Sequence, residues 1–152
     1  MMLDEIDRRI IRELQSDGRL QNNALARRVG LSPSPCLRRV KILEEAGVIS
    51  RYVAIVDQTK VGLALSLFVR VWLVAQDAET IYIFIAAMRR LPEVVECYIM
   101  LGESDALLRV VVADLGDYRL FQASHLTRRN GIQNVKTDVP SEIVKQTFSL
   151  PV

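Results

Sequence analysis

Residues 22–43 read NNALARRVGLSPSPCLRRVKIL. Leu25 and Val29 recur at helical spacing, and the glycine that follows them is a typical helix stop. Ser32-Pro33 then opens another helix, because proline at the first helical position gives up an N–H that would have no partner there. Two short helices joined by a tight turn are typical of a helix-turn-helix.

The segment before this stretch predicts a third helix. Its apolar residues repeat at helical spacing, Asp4 precedes them as an N-cap with Asp7 three residues later, and Asp17-Gly18 ends the helix. Three helices need a shared core. The sequence predicts that this core is formed by eight apolar residues, namely Ile6, Ile10, Leu14, Leu25, Val29, Leu37, Val40 and Leu43.

Positive charge is concentrated around the helix-turn-helix. The stretch from Arg19 to Arg51 holds seven basic residues and two acidic ones, whereas the whole chain has a net charge of only +2. A basic module attached to an acidic remainder suggests that one part of the chain meets a polyanion. The alternative is a three-helix module that binds protein and carries its charges on a solvated face.

Duplex DNA is the polyanion that this pattern favours. Hydroxyls and backbone N–H groups at a helix start suit phosphate oxygens, and arginine can also read guanine in the major groove. The residues predicted to contact phosphates or bases lie on the third helix and beside it: Arg38, Arg39 and Lys41, flanked by Ser32, Ser34, Arg27, Arg28, Arg19 and Arg51.

The rest of the chain predicts an α+β domain. Apolar runs at 65–74, 94–101, 106–113 and 135–145 are typical of strands, and helices are expected over about 78–91 and 115–128. The order β-α-β-β-α-β is the ferredoxin-like pattern. The predicted organisation is therefore a (winged) helix-turn-helix domain over 1–52, a linker strand or hinge over 53–62, and a ferredoxin-like αβ sandwich over 63–152.

Several classes of protein do not fit the sequence. Cys36 and Cys97 lack metal-ligand or disulfide spacing, so we expect two packed, reduced thiols and no metal site. His125, the sole histidine, has no visible acid or nucleophile beside it, and no cofactor motif or catalytic constellation is present. The N-terminus does not resemble a signal peptide and no run is long enough to span a bilayer, so we expect a cytoplasmic protein that is not an enzyme.

Particular residues carry a resemblance over nearly the whole chain. LDEIDRRII at 3–11, VGLSPSPC at 29–36, GESD at 102–105, LLRV at 107–110 and EIVK at 142–145 closely resemble the leucine-responsive regulatory protein/AsnC family, the feast/famine regulators. The first two lie in the helix-turn-helix, and the other three lie in the second half of the chain.

The resemblance implies a function for both halves. Members of the family are transcription regulators that bind double-stranded DNA, form homodimers through the linker strand and the sheet, and commonly assemble to octamers. They respond to amino acids bound between subunits near a Gly-x-x-Asp turn. Carried over, the effector site comprises Gly102, Glu103, Ser104 and Asp105, with Ile99, Leu101 and Val139 lining it.

The chemistry of an amino acid agrees with this assignment. Asp105 would pair with the ammonium group, and backbone N–H groups of the turn would bind the carboxylate. Aspartate is also common in turns because it bonds its own backbone. Family members usually have tyrosine after this aspartate, where this chain has Ala106, and Pro140 interrupts the last strand. The identity of the effector therefore stays open.

The sequence predicts a regulator that binds pseudo-palindromic DNA sites as a dimer-based oligomer, with its third helices in successive major grooves. One alternative is an effector-binding protein that regulates an enzyme through protein contacts. The other is an enzyme built on the ferredoxin-like scaffold, which ranks last because a catalytic constellation is missing from the sequence.

Overall fold

The computed structural model describes residues 2–152; Met1, the first residue of the predicted helix-turn-helix domain, lies outside the described residues. The chain begins with three helices, α1 (Glu5–Ser16), α2 (Asn22–Val29) and α3 (Pro33–Glu45). Two aspartates form a capping box at the start of α1. The Asp7 backbone N–H donates to Asp4 Oδ1 at 2.8 Å, and the Asp4 N–H donates to Asp7 Oδ2 at 3.2 Å. Both donors would otherwise be unpaired.

The turn between α2 and α3 follows the sequence closely. Gly30 has a φ of 75°, a left-handed conformation that glycine adopts without a steric penalty, and α3 starts at Pro33. The buried side of α3 consists of Cys36, Val40 and Leu43. The prediction that Leu37 belongs to this core was wrong, since its side chain is 44 % exposed. The buried row runs through Cys36, one position earlier on the helix.

The second part of the chain is a four-stranded sheet with helices. Its elements are β1 (Leu65–Leu73), α4 (Ala78–Met88), β2 (Val94–Ile99), β3 (Ala106–Val112), α5 (Leu115–His125), a 3₁₀ turn (Arg128–Asn130) and β4 (Ile132–Asp138). The strand order is β2-β3-β1-β4, and every neighbouring pair is antiparallel. The predicted α+β class with a ferredoxin-like βαββαβ domain is confirmed.

The two faces of the sheet differ. On one face, alternate residues of β1 and β3 are buried against apolar side chains of α4 and α5. The buried strand residues are Leu67, Val69, Val71, Leu73, Ala106, Leu108, Val110 and Val112. The opposite face carries Phe68 and Tyr98, exposed by 37 % and 51 %. Successive side chains of a strand point to opposite faces, so one face forms the core and the other stays open.

Several element boundaries differ from the predictions. The last strand ends at Asp138 instead of continuing to 145, and Pro140, which has no N–H to donate to a neighbouring strand, follows shortly. In the described residues no strand lies between α3 and β1, although extended segments were predicted at 48–53 and in the linker at 53–62. An extended segment in a single chain has no neighbouring strand to pair with there.

The chain divides into two compact units. One contains the residues up to Ile55 together with Val144–Val152, and the other is Val56–Ile143. The predicted domain of 63–152 included the last nine residues, whereas the structure packs them with the helices of the first unit. Among residues 2–152, no helix combines the length and apolar character needed to cross a membrane.

Candidate DNA-binding helix and effector turn

The start of α3 presents polar groups to solvent. Ser32 is the N-cap residue but makes no capping bond with its side chain, and Ser34 is exposed. Pro33 and Pro35 occupy the first and third positions, so they remove two of the backbone donors that a helix start usually offers. Of the hydroxyls and backbone N–H groups that the sequence predicts at this helix start, the hydroxyls of Ser32 and Ser34 are therefore the main exposed polar groups.

Two of the three predicted cations on α3 are exposed to solvent and have no described salt-bridge partner. Arg38 and Lys41 are exposed, and neither takes part in any of the salt bridges found within the described residues. Side chains of this kind can reach phosphate or base edges without first breaking an internal contact. Both lie on the side of α3 away from the buried Leu43.

Arg39 is held inside the unit. Its Nη1 donates to Asp4 Oδ2 at 2.8 Å and to Asp7 Oδ1 at 2.7 Å, which joins α3 to the capping box of α1. The Asp7 side chain is only 8 % exposed. The backbone N–H of Asp7 and, next, the Arg39 guanidinium hold the pKa of Asp4 below its usual value. The prediction that Arg39 contacts DNA stays a prediction, but this guanidinium already has two partners.

The flanking arginines have different surroundings. Arg19, Arg27 and Arg51 are exposed and take part in no described salt bridge. Arg28 is exposed as well, but its Nη1 lies 2.8 Å from Glu13 Oε2 of α1. An exposed pair of this kind contributes little stability and can exchange its partner at small cost.

Tyr52 is a structural residue that the sequence did not single out. Its hydroxyl donates to Glu44 Oε1 at 2.9 Å, and its ring lies so close to Gly18 that a Cβ there would be 3.3 Å from Tyr52 Cδ1. Burial, and next the Glu44 carboxylate, raise the pKa of Tyr52 to about 12. The ring thus holds the start of the linker against the α1–α2 turn. The one sequence feature that could have indicated this role is the position of an aromatic residue soon after the helix-turn-helix.

The Gly102–Asp105 turn connects β2 with β3, and Asp105 ties it to β1. Asp105 Oδ2 accepts from the Leu73 N–H at 2.8 Å, and Oδ1 accepts from Gln76 Nε2 at 2.8 Å. An aspartate in a turn commonly bonds its own backbone, whereas this carboxylate bonds groups about thirty residues away. A fixed carboxylate therefore lies at the end of the sheet.

The other predicted effector residues have different surroundings, and not all of them lie at this turn. Ser104 is buried, while Leu101 is fully exposed and the Glu103 carbonyl accepts from Trp72 Nε1 at 2.9 Å. Ile99 lines a groove of about 330 Å³ between α4 and β2. Cys97 lines it too and is exposed, so the expectation that both thiols are packed holds only for Cys36.

Val139 is not part of this group within one chain. The turn adjoins the end of β1 at which Val71 pairs with Ala106, whereas Val139 follows Asp138, which pairs with Phe68. The two places are therefore separated along the strands within one chain, and the assignment of Val139 to the effector site stays a prediction. In residues 2–152 no three His, Cys, Asp or Glu side chains are grouped as metal ligands.

Two known families match different parts of the chain. A family described as winged helix-turn-helix DNA-binding matches residues 3–50, and one described as the Lrp/AsnC ligand binding domain matches residues 66–150. The second match alone covers more than half of the chain. The two descriptions correspond to α1–α3 and to the sheet with its helices.

Curated relatives match over nearly their whole length. The chain is 38 % identical to the transcriptional regulator AzlB of Bacillus subtilis over 100 % of this chain and 97 % of that protein. It is 40 % identical to the leucine-responsive regulatory protein of Salmonella typhimurium over 99 % and 92 % of the two chains. The relatives are regulators, which confirms the prediction that the chain is not an enzyme.

Solved structures of two regulators are similar to this chain. A transcriptional regulator of Neisseria meningitidis, determined as an L-Met complex, superimposes with a TM-score of 0.95 at 38 % identity. The match covers 99 % of this chain and 97 % of that one. A regulator of the AsnC family from Agrobacterium tumefaciens has a TM-score of 0.93 at 40 % identity, covering 98 % and 97 %.

Proposed function

Since this chain belongs to the Lrp/AsnC family of DNA-binding transcriptional regulators, we propose that it controls genes of amino-acid metabolism in response to a free amino acid. The observation that carries the effector part is the fixed carboxylate of Asp105 at the sheet end. In this proposal the first unit binds DNA. The protein acts in the cytoplasm, where it regulates genes. No catalytic step is involved.

DNA contact is assigned to the exposed groups of α3. Arg38 and Lys41 reach phosphate oxygens or base edges, and the hydroxyls of Ser32 and Ser34 reach the backbone where the helix enters the groove. The exposed flanking arginines add electrostatic attraction along the duplex: Arg19, Arg27, Arg28 and Arg51. Arg39 acts mainly by holding α3 against α1, because both carboxylates that it contacts belong to α1 or to its cap.

An amino acid is the effector that the turn suits. The Asp105 carboxylate supplies a negative charge for an ammonium group, and each of its oxygens keeps a lone pair beyond the one described hydrogen bond. Backbone groups of Gly102–Ser104 would bind the amino acid's carboxylate. The L-Met complex of the Neisseria regulator and the name of the leucine-responsive relatives support this class of ligand.

A homodimer that assembles further to an octamer is part of the same proposal. The open face of the sheet presents aromatic and apolar side chains, among them Phe68, Trp72 and Tyr98, beside the Arg109–Glu96 ion pair at 2.8 Å. A second copy of the chain is the occupant that the family implies for this face. The exposed apolar residues Val53 and Ile55 would give the linker an extended partner in that dimer.

A thermal-shift screen of the twenty amino acids tests the effector. A ligand that binds only the folded state raises the melting temperature, by an amount set by RT ln(1 + [L]/Kd). The matched variant is Asp105→Asn, which removes the charge and keeps an acceptor for the Leu73 N–H. We expect the active amino acid to raise the melting temperature of the wild type but not that of the variant. Without effector, fluorescence anisotropy should show that both proteins bind equally to a duplex from the chain's own upstream region.

The same two measurements can contradict the proposal. If no amino acid changes either the melting temperature or the DNA affinity of the wild type, the amino-acid response is refuted. If Asp105→Asn responds as the wild type does, the carboxylate of the turn is not the ammonium ligand. The DNA part fails separately, by unchanged affinity in Arg38→Gln across a series of salt concentrations.

A further inference from the structure

The last nine residues, Val144–Val152, belong to the first unit, and we call this segment the tail. Its end contacts helix α1. The side-chain amide of Gln15 pairs with the backbone of Leu150 in both directions. Gln15 Nε2 donates to the Leu150 carbonyl at 3.1 Å, and the Leu150 N–H donates to Gln15 Oε1 at 2.6 Å. One side chain thus satisfies both backbone groups of one tail residue, as a neighbouring strand would.

A second set of contacts fixes the next two residues. The Val152 N–H donates to the Leu150 carbonyl at 3.0 Å, which closes a three-residue turn around Pro151. Proline favours such a turn because its ring already restricts φ. Arg12 Nη1 donates to the Val152 carbonyl at 3.1 Å, and the Val152 side chain packs against the core of the three helices. The tail is therefore bound by backbone recognition at two positions and by an apolar anchor.

The tail changes how the two units are connected. The chain leaves the first unit after Ile55 and returns to it at Val144, so the second unit is joined to the helices at both of its ends. The returning connection starts only a few residues after β4, which ends at Asp138. All described hydrogen bonds between the tail and helix side chains are with α1, through Arg12 and Gln15, and none is with the exposed cations of α3.

We propose that the tail is a strap that binds helix α1 and limits the freedom of the helix-turn-helix unit with respect to the second unit. Because it leaves α3 open, it does not compete with DNA. It acts by preorganisation: a helix-turn-helix on two connections loses less freedom on binding DNA than one on a single connection. The inference builds on the proposed DNA contacts of α3 but does not depend on an effector.

The first measurement asks whether the strap is bound in solution. Hydrogen exchange of the full chain is followed for the tail amides in the wild type, in Gln15→Leu and in the matched control Gln146→Leu, whose tail glutamine makes no described contact. We expect the Leu150 amide to exchange about tenfold faster in Gln15→Leu and unchanged in Gln146→Leu. Equal tail exchange in the wild type and Gln15→Leu would overturn the proposal.

The second measurement asks whether the strap matters for DNA. Affinity for a duplex from the chain's upstream region is measured by anisotropy over a series of salt concentrations, without added amino acid. Gln15→Leu should bind about threefold more weakly with an unchanged salt slope, because no phosphate contact is lost. Affinity equal to that of the wild type shows that the strap has no role in DNA binding.

A second variant covers the case in which Gln15→Leu lowers the stability of α1. Pro151→Gly leaves α1 intact and loosens only the turn of the tail, so it should change tail exchange and DNA affinity in the same direction. If Pro151→Gly changes neither, the strap is refuted. Failure of the proposed DNA contacts gives a different pattern: Arg38→Gln would keep the wild-type salt slope while the tail exchange still follows Gln15.

Discussion

Replacing Arg39 by methionine should destabilise the helical unit without removing a phosphate contact. The substitution keeps an apolar stem and deletes the guanidinium, whose Nη1 lies 2.7 Å from Asp7 Oδ1 and 2.8 Å from Asp4 Oδ2. The contact with Asp4 is worth little, because the Asp4 side chain is 52 % exposed and is screened by water. The contact with Asp7 is shielded, because that carboxylate is 8 % exposed.

The expected loss is about 2 kcal/mol. A hydrogen bond to a charged group contributes roughly 1.5–3 kcal/mol, and its removal leaves the Asp7 carboxylate with only the N–H of Asp4 as a described donor. Urea unfolding followed by circular dichroism measures the change. Arg38→Met is the matched control, and because Arg38 is exposed we expect its effect to stay within about 0.5 kcal/mol.

Two results would refute this reasoning. In a double-mutant cycle of Arg39→Met with Asp7→Asn, the coupling energy should be about 1–2 kcal/mol, and a coupling near zero would remove the ion pair from the stability of the unit. On DNA, Arg38→Met should reduce the salt slope by about 0.9 while Arg39→Met leaves it unchanged. A reduced slope in Arg39→Met would identify Arg39 as a phosphate contact, as the sequence had suggested.

Two other substitutions test the packing of the same unit. Leu43→Ala should lower the free energy of unfolding by about 2–5 kcal/mol because Leu43 is fully buried, whereas Leu37→Ala on the half-exposed side should cost under about 1 kcal/mol; similar losses in urea unfolding would contradict the observed orientation of α3. The raised pKa of Tyr52, about 12, favours the folded state below its unfolded pKa of about 10, so stability should fall as pH rises from 10 to 12. Tyr52→Phe should lack about 1 kcal/mol of this fall in stability in a series of thermal melts at alkaline pH. A variant with the wild-type pH profile would show that ionisation of Tyr52 does not contribute to it.

The local structure of the chain follows from short-range patterns. Gly30 ends α2 and Ser32-Pro33 starts α3 where the sequence predicted, because helix ends depend on the conformational freedom of single residues and on caps within one turn. The strands of the sheet follow from runs of apolar residues in the same way. The errors lie where a pattern has two solutions: Cys36 and Leu37 are adjacent on α3, and periodicity alone does not decide which of them faces α1 and α2.

The predicted effector residues also show what the sequence reveals and what it does not. The sequence pointed to Asp105 as a turn residue with a charge, but the partners of its carboxylate come from β1 and the chain after it. The resemblance grouped Val139 with that turn, whereas the strand register separates the two within one chain. A list of residue types contains no distances, so it does not show whether a site is completed by one subunit or by two.

The sequence by itself determined that residues 22–43 form a helix-turn-helix, that a ferredoxin-like domain follows, and to which family the chain is similar. Those features depend on caps, turns and periodicity within a few residues. Only the tertiary structure decided that Arg39 joins α3 to the cap of α1 and that the tail returns to Gln15, 135 residues away from Leu150. Such contacts form because packing brings distant segments together. A polar side chain has several equally suitable partners, and the residues near it in the sequence do not determine which of them it contacts.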